Sequence, residues 1–164
     1  MVKLSTNFSL QEYTKSQTAT RQGLDNTPNE GHMTSATALF ENVVQKVREN
    51  FGVTVINSGY RGPALNTAVG GSSNSQHCKG EAVDIECPGT GNYDVASWIE
   101  SNLDFDQLIL EYYEPGQPNS GWVHVSYKKE INSNRKEYLM AFKDDSGKTN
   151  YKLILGLSTD RYVK

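Results

Sequence analysis

The chain has only two cysteines, Cys78 and Cys87, which cannot form the disulfide framework that holds small secreted domains together. It carries little excess charge. The formal net charge is -3 and charged residues make up 21%, so no basic field invites a nucleic acid. Long apolar runs are missing, both after Met1-Val-Lys3 and further along. The expectation is therefore synthesis in a cytoplasm without a signal peptide, and no insertion into a membrane. Repeats and linkers are missing as well, so residues 1–164 read as one domain, long enough to bury a real core. Histidine is scarce: His32, His77 and His124 are the full set.

The stretch that stands out runs from Ser58 to Cys87 and contains Ser75-Gln-His77-x-x-Gly80-x-Ala82-x-Asp84. His77 and Asp84 are seven residues apart, which is wrong for one helix face. The spacing suits a loop that presents His77, turns at Gly80 and enters a strand, Ala82-Val-Asp-Ile85. Alternation along that strand sends Val83 and Ile85 into the core and Asp84 the other way. The two residues read as ligands of one metal, and a hydrolytic zinc needs a third, with the fourth position left to water. In Gly121-Trp-Val-His-Val-Ser-Tyr127 the alternation puts Trp122, His124 and Ser126 on one face. His124 is the natural third ligand. His32 reads as a loop or helix-start residue, and the cysteines as small buried hydrophobes, since Cys78 points away from its neighbour His77 in extended chain.

In chain order, Ser9 and Glu12 form a capping box for a short helix. Residues 14–31 read as a polar surface loop, and a helix is expected from about Thr34 to Asn50, ended by Gly52. Val53 to Ile56 reads as a strand, Pro63 as the start of a helix, and Asp94 as the cap of another. Phe105 to Tyr113 is a buried strand, and the His124 strand follows. Glu137 to Lys143 and Asn150 to Leu155 form a hairpin, so that residues 144–164 make a C-terminal hairpin and extension. Helices first and strands later favour an α+β domain with an antiparallel central sheet and helices mainly on one face.

A metal needs a proton acceptor beside it. Period-2 alternation puts Glu111 with Gln107 and Ile109, so a strand paired beside His124 would bring this acid over the metal. The alternative for Glu111 is an ordinary salt bridge at a strand end. Arg61 closes the Ser58-Gly-Tyr-Arg61 run; it reads as a fork for a substrate carboxylate, or as half of a structural ion pair. Tyr60 and Trp122 read as packing aromatics, although Trp122 shares the ligand face.

The combination of SGYR, NTAVGGSSNSQH, SxHxxGxAxD and WVHVSY resembles the zinc D-alanyl-D-alanine carboxypeptidases and L-alanyl-D-glutamate endolysins, especially small phage and prophage members, from about Asn7 to Lys143. The resemblance implies a fold of the hedgehog and DD-peptidase type, zinc held by His77, Asp84 and His124, and substrate contacts from Arg61 and Ser75. Ser75 reads equally as a loop cap. It also implies a monomer acting on peptide stems of bacterial peptidoglycan, reached through a holin-type pore or on a phage particle. Many members carry an acid three positions before the last histidine, where this chain has Gly121. The FD-four-residues-E pattern of the hedgehog domain resembles Phe105-Asp106 through Glu111, which favours Glu111 over Glu114 as the base. The missing acid also supports another reading: an inactive zinc-containing structural or wall-binding module of a phage particle.

Overall fold

The computed structural model describes residues 2–154. A two-stranded ribbon, β1 (Lys3–Ser5) and β2 (Phe8–Ser9), leads into the first helix, α1 (Leu10–Thr14). The capping box is formed: the Glu12 amide donates to Ser9 Oγ, and the Ser9 amide donates to Glu12 Oε1, both at 3.2 Å. The stretch 14–31 departs from the expected loop. It holds α2 (Gln17–Gln22), capped by Ser16 and stopped by Gly23 at φ 64°, and the start of α3 (Glu30–Leu39). Ala19 is the sole buried residue of α2, so there was no apolar period to read. Helix α3 starts ahead of Thr34 because the Asn29 side chain accepts from the His32 amide at 2.8 Å.

A π-helical turn, Phe40–Val44, joins α3 to α4 (Gln45–Phe51) and turns Phe40, Val43 and Val44 all inward. There follow β3 (Val55–Ser58), α5 (Pro63–Ala68), a 3-10 turn (Gln76–Lys79) and β4 (Ala82–Glu86). Helix α6 (Asn92–Asn102) starts after Gly91, so Asp94 lies in its first turn and is not the cap. There it complements the positive helix end. The remaining strands are β5 (Gln107–Glu111), β6 (Trp122–Ser126), β7 (Glu137–Lys143) and β8 (Thr149–Leu153). The hairpin is thus present, while residues 155–164 of the expected extension lie outside the described residues.

The six long strands form one sheet in the order β3-β4-β6-β5-β7-β8. All neighbours are antiparallel except β5 and β7, which run parallel. The chain leaves β6, passes the end of β5 and re-enters the sheet on its far side, so β7 opposes β6 and matches β5. One face supplies Val83, Ile85, Leu108, Leu110, Val123 and Val125, all 0% exposed. These pack in one cluster with Leu39, Phe40 and Val43 of the long helix and with Val95 and Ile99 of α6. Each such side chain contributes about 1.5–3 kcal/mol by leaving water. The fold is α+β, with α3, α4 and α6 packed on that face. Among the described residues no helix is long and apolar enough to cross a membrane.

Candidate metal centre

On the other face the alternation delivers polar side chains from the same strands. Asp84 of β4 sits directly across from His124 of β6, which is flanked on its other side by Ile109 of β5. His77 comes from the 3-10 turn. Ser75 Oγ caps that turn by accepting from the His77 amide at 3.2 Å, and Gly80 ends it at φ 73°. A Cβ at position 80 would stand 2.3 Å from the His32 carbonyl oxygen, so the turn closes tightly only with glycine.

His77 is 3% exposed, and its Nδ1 lies 2.8 Å from the Gly59 carbonyl oxygen. A carbonyl only accepts, so Nδ1 carries the proton and Nε2 is turned towards Asp84 Oδ1, 3.4 Å away. His124 Nδ1 faces the same oxygen at 2.9 Å. In neutral His77 the Nε2 lone pair confronts the Asp84 carboxylate, a repulsion that a shared proton or a cation relieves. Burial works to raise the Asp84 carboxyl, but His124 and His77 outweigh it and hold it well below the usual carboxylate range. The ligand atoms of His77, Asp84 and His124 all lie within 4.8 Å of one another, and the three could hold a metal ion. Two imidazoles and a carboxylate suit zinc with an open position. The third histidine is elsewhere: His32 Nδ1 bonds the Tyr60 hydroxyl at 3.0 Å, and Tyr60 is buried against Tyr13. Cys87 is buried and Cys78 half-buried, and neither belongs to the cluster.

Glu111 pairs opposite Trp122 on the ligand face. It lines a cavity of about 700 Å³ together with His77, Asp84, His124, Arg61 and Trp122. Burial, helped by the Asp84 charge and opposed by His124, raises its carboxyl to about 7. Glu114 is exposed in the following turn and does not line this cavity. The strand end is tightly held. Tyr112 takes a left-handed φ of 52°, its amide donates to Ala141 O at 2.8 Å, and its ring packs on Trp122 with centroids 5.5 Å apart. Gly121, also left-handed at φ 64°, lies so close that a Cβ would meet the Glu111 carbonyl oxygen at 1.7 Å. Position 121 has no room for a side chain of any kind, because the strand that carries Glu111 fills the space.

Arg61 lines the same cavity, and its amide donates to the His77 carbonyl at 3.1 Å. Among the described residues no carboxylate forms an ion pair with it, and its buried Nε has no hydrogen-bond partner. Gly71 packs against it, where a Cβ would stand 2.9 Å from Nη1.

Three contributions were missed from the sequence, although Asp106 stands in the FD pattern that pointed to Glu111. The Gly59 carbonyl that orients His77 is one. Asp106 is another: fully buried, its Oδ2 accepts from Gln76 Nε2 at 3.0 Å and from Arg135 Nη2 at 2.8 Å. Its Oδ1 accepts from the Arg135 amide and Nε, both at 3.0 Å, with Lys128 Nζ 3.8 Å away. This carboxylate ties the turn bearing His77 to the chain entering β7. The third is Tyr151, which joins the cavity from β8. All three depend on chain segments that meet only in the folded state.

No curated protein matches the chain. The sequence pattern of the Peptidase M15 family matches residues 6–126, which include every residue of the His-Asp-His cluster together with Arg61 and Glu111. With most of its length matched, the chain belongs to the Peptidase M15 family.

Proposed function

We propose that this chain is a zinc-dependent peptidase that cuts the peptide stems of bacterial peptidoglycan. The observation that carries the reading is the convergence of His77, Asp84 and His124 beside a raised carboxyl, Glu111, in one cavity. When bound by these three side chains, zinc supplies a Lewis acid that polarises the scissile carbonyl and acidifies water. Glu111 takes a proton from the attacking water and returns it to the leaving amine nitrogen; a carboxyl titrating at about 7 suits both transfers near neutral pH. The Gly59 carbonyl keeps His77 in the tautomer that leaves Nε2 open as a ligand. Arg61, a cation without a carboxylate of its own among the described residues, receives a substrate carboxylate. The Ser75 hydroxyl accepts from the His77 amide and keeps its own proton to donate to substrate, and Trp122 walls the cavity.

The substrate lies outside the cytoplasm, and passage through a holin-type pore or carriage on a particle would bring the chain to it. Digestion of purified muropeptides, followed by mass spectrometry, tests the reading. The zinc-loaded protein releases a new amine and the metal-stripped protein does not. Full activity in His124→Ala would remove the mechanism. The inert-module reading rests on Gly121, and Glu111→Gln separates the two. If the parent turns over and the variant keeps metal but loses rate, the enzyme reading stands. An inert parent with zinc intact favours the module.

A further inference from the structure

We propose that the site is an endopeptidase cleft in which the substrate peptide continues past the scissile bond in both directions, with Tyr151 as the specificity-determining contact on one arm. This inference rests on the peptidase reading above and chooses among the bonds that reading leaves open.

Two grooves meet at the ligand cluster. One, of about 700 Å³, extends from His77 and His124 across Glu111 to Tyr151. The other, of about 660 Å³, extends from Asp84 past Ile56 to Lys15 and Gln17 at the start of α2. Arg61, Asp84 and Trp122 line both. Each is within the size range that takes a drug-sized ligand, so there is room for substrate on both sides of the ligand cluster. An enzyme that trims a terminal residue needs a cation at a blocked end to catch the terminal carboxylate. Of the cations along the grooves, Lys128 and Arg135 are held by Asp106, Lys79 is exposed at the margin and Lys15 lies at the α2 end. Arg61 instead stands where the grooves join, with groove continuing on both sides of it. A cation so placed suits a carboxylate that branches from a continuing chain.

The β8 arm has its own floor. Across the sheet Trp122 pairs with Glu111, Glu111 with Ala141, and Ala141 with Tyr151. Ala141, between Glu111 and Tyr151, is fully covered, so on this arm the acid and the ring are the members of the row that line the groove. Tyr151 is 59% exposed, a large aromatic surface left open at the end of that row. Its ring offers an apolar face and a hydroxyl to a peptide plane or side chain. The strand ends next to it are tied together: the Tyr112 hydroxyl and Thr149 Oγ1 are 2.8 Å apart, and Lys143 Nζ lies 5.6 Å from the Tyr112 ring centroid. The β7–β8 hairpin follows the residues matched to the family, so this arm belongs to the part of the chain outside that match.

The test uses the zinc-loaded full chain and two synthetic stem peptides sharing the scissile bond, one ending just after it and one extended on both sides. Internal cleavage of the extended peptide, with kcat/KM about tenfold or more above the short one, is expected. Tyr151→Ala should raise KM for the extended peptide about tenfold with kcat little changed, and Tyr151→Phe should restore it. The same order should appear when the extended peptide is titrated into Glu111→Gln protein, a binding readout that needs no turnover. Release of only the terminal residue, or no effect of Tyr151→Ala on KM and binding, overturns the inference and leaves the peptidase reading standing. Failure to cleave either peptide overturns both.

Discussion

The two faces of the central sheet use the same three strands for opposite ends. On one, Val83, Leu110 and Val123 are sealed under the helices. On the other, Asp84, Glu111 and His124 look into a cavity. Each residue of the second set is a chain neighbour of one in the first. The apolar face holds the strand register, and that register places Asp84 across from His124 and Glu111 across from Trp122. Stability and chemistry are thus divided by side-chain alternation, and substitutions on each face should have separable effects.

The largest effect is expected from His124→Ala. With one of three ligands removed, peptidase rate should fall by about 10³-fold or more, while the metal-free protein still folds cooperatively, at a midpoint lowered by the loss of the Asp84 partner. A large loss of folding would break the division between the faces. Next, Glu111→Gln should lower kcat by about 10²–10⁴-fold with zinc stoichiometry unchanged, as read by metal analysis.

Leu110→Ala, one residue away but on the other face, should cost about 2–5 kcal/mol of stability in denaturant titration and spare the turnover of the folded fraction. Gly121→Ala joins the two faces. Its Cβ would collide with the Glu111 carbonyl at a positive φ, so both the unfolding midpoint and kcat should drop. An unchanged kcat would mean that the end of β5 does not position the acid.

The smallest effect is a pH dependence. Folding raises Glu111 from 4.5 to about 7, so its neutral form is the one favoured in the folded chain. Its contribution to stability is full below about pH 4.5 and is lost as pH climbs through about 7, by on the order of 1–2 kcal/mol. Metal-free Glu111→Gln should lack that decline. Asp84 works with the opposite sign: held low in the folded state, it stabilises above its ordinary range and loses that contribution as pH falls into acid. Unfolding curves from about pH 2 to 8 for parent and variant separate the two.

Much was legible along the chain because it is written in local spacing. Period-2 alternation placed Asp84, His124 and Glu111 on non-core positions, and the Ser9 box and the Gly52 stop marked helix ends. Polar α2 and the Asn29 cap were missed, since one buries little and the other begins before any apolar stripe. Asp94 was misplaced as a cap because the Asn92 side chain at the helix start is spent on the Ser120 and Gly121 carbonyls, leaving Gly91 to begin α6. What only the tertiary structure decided is who meets whom. The parallel β5–β7 pair, the Gly59 carbonyl behind His77, the Asp106 clamp on Gln76 and Arg135, and the filled space at Gly121 all join segments far apart in sequence. Alternation fixes a side chain's direction within its own strand, but partners across strands follow from register and chain crossing, which no local pattern encodes.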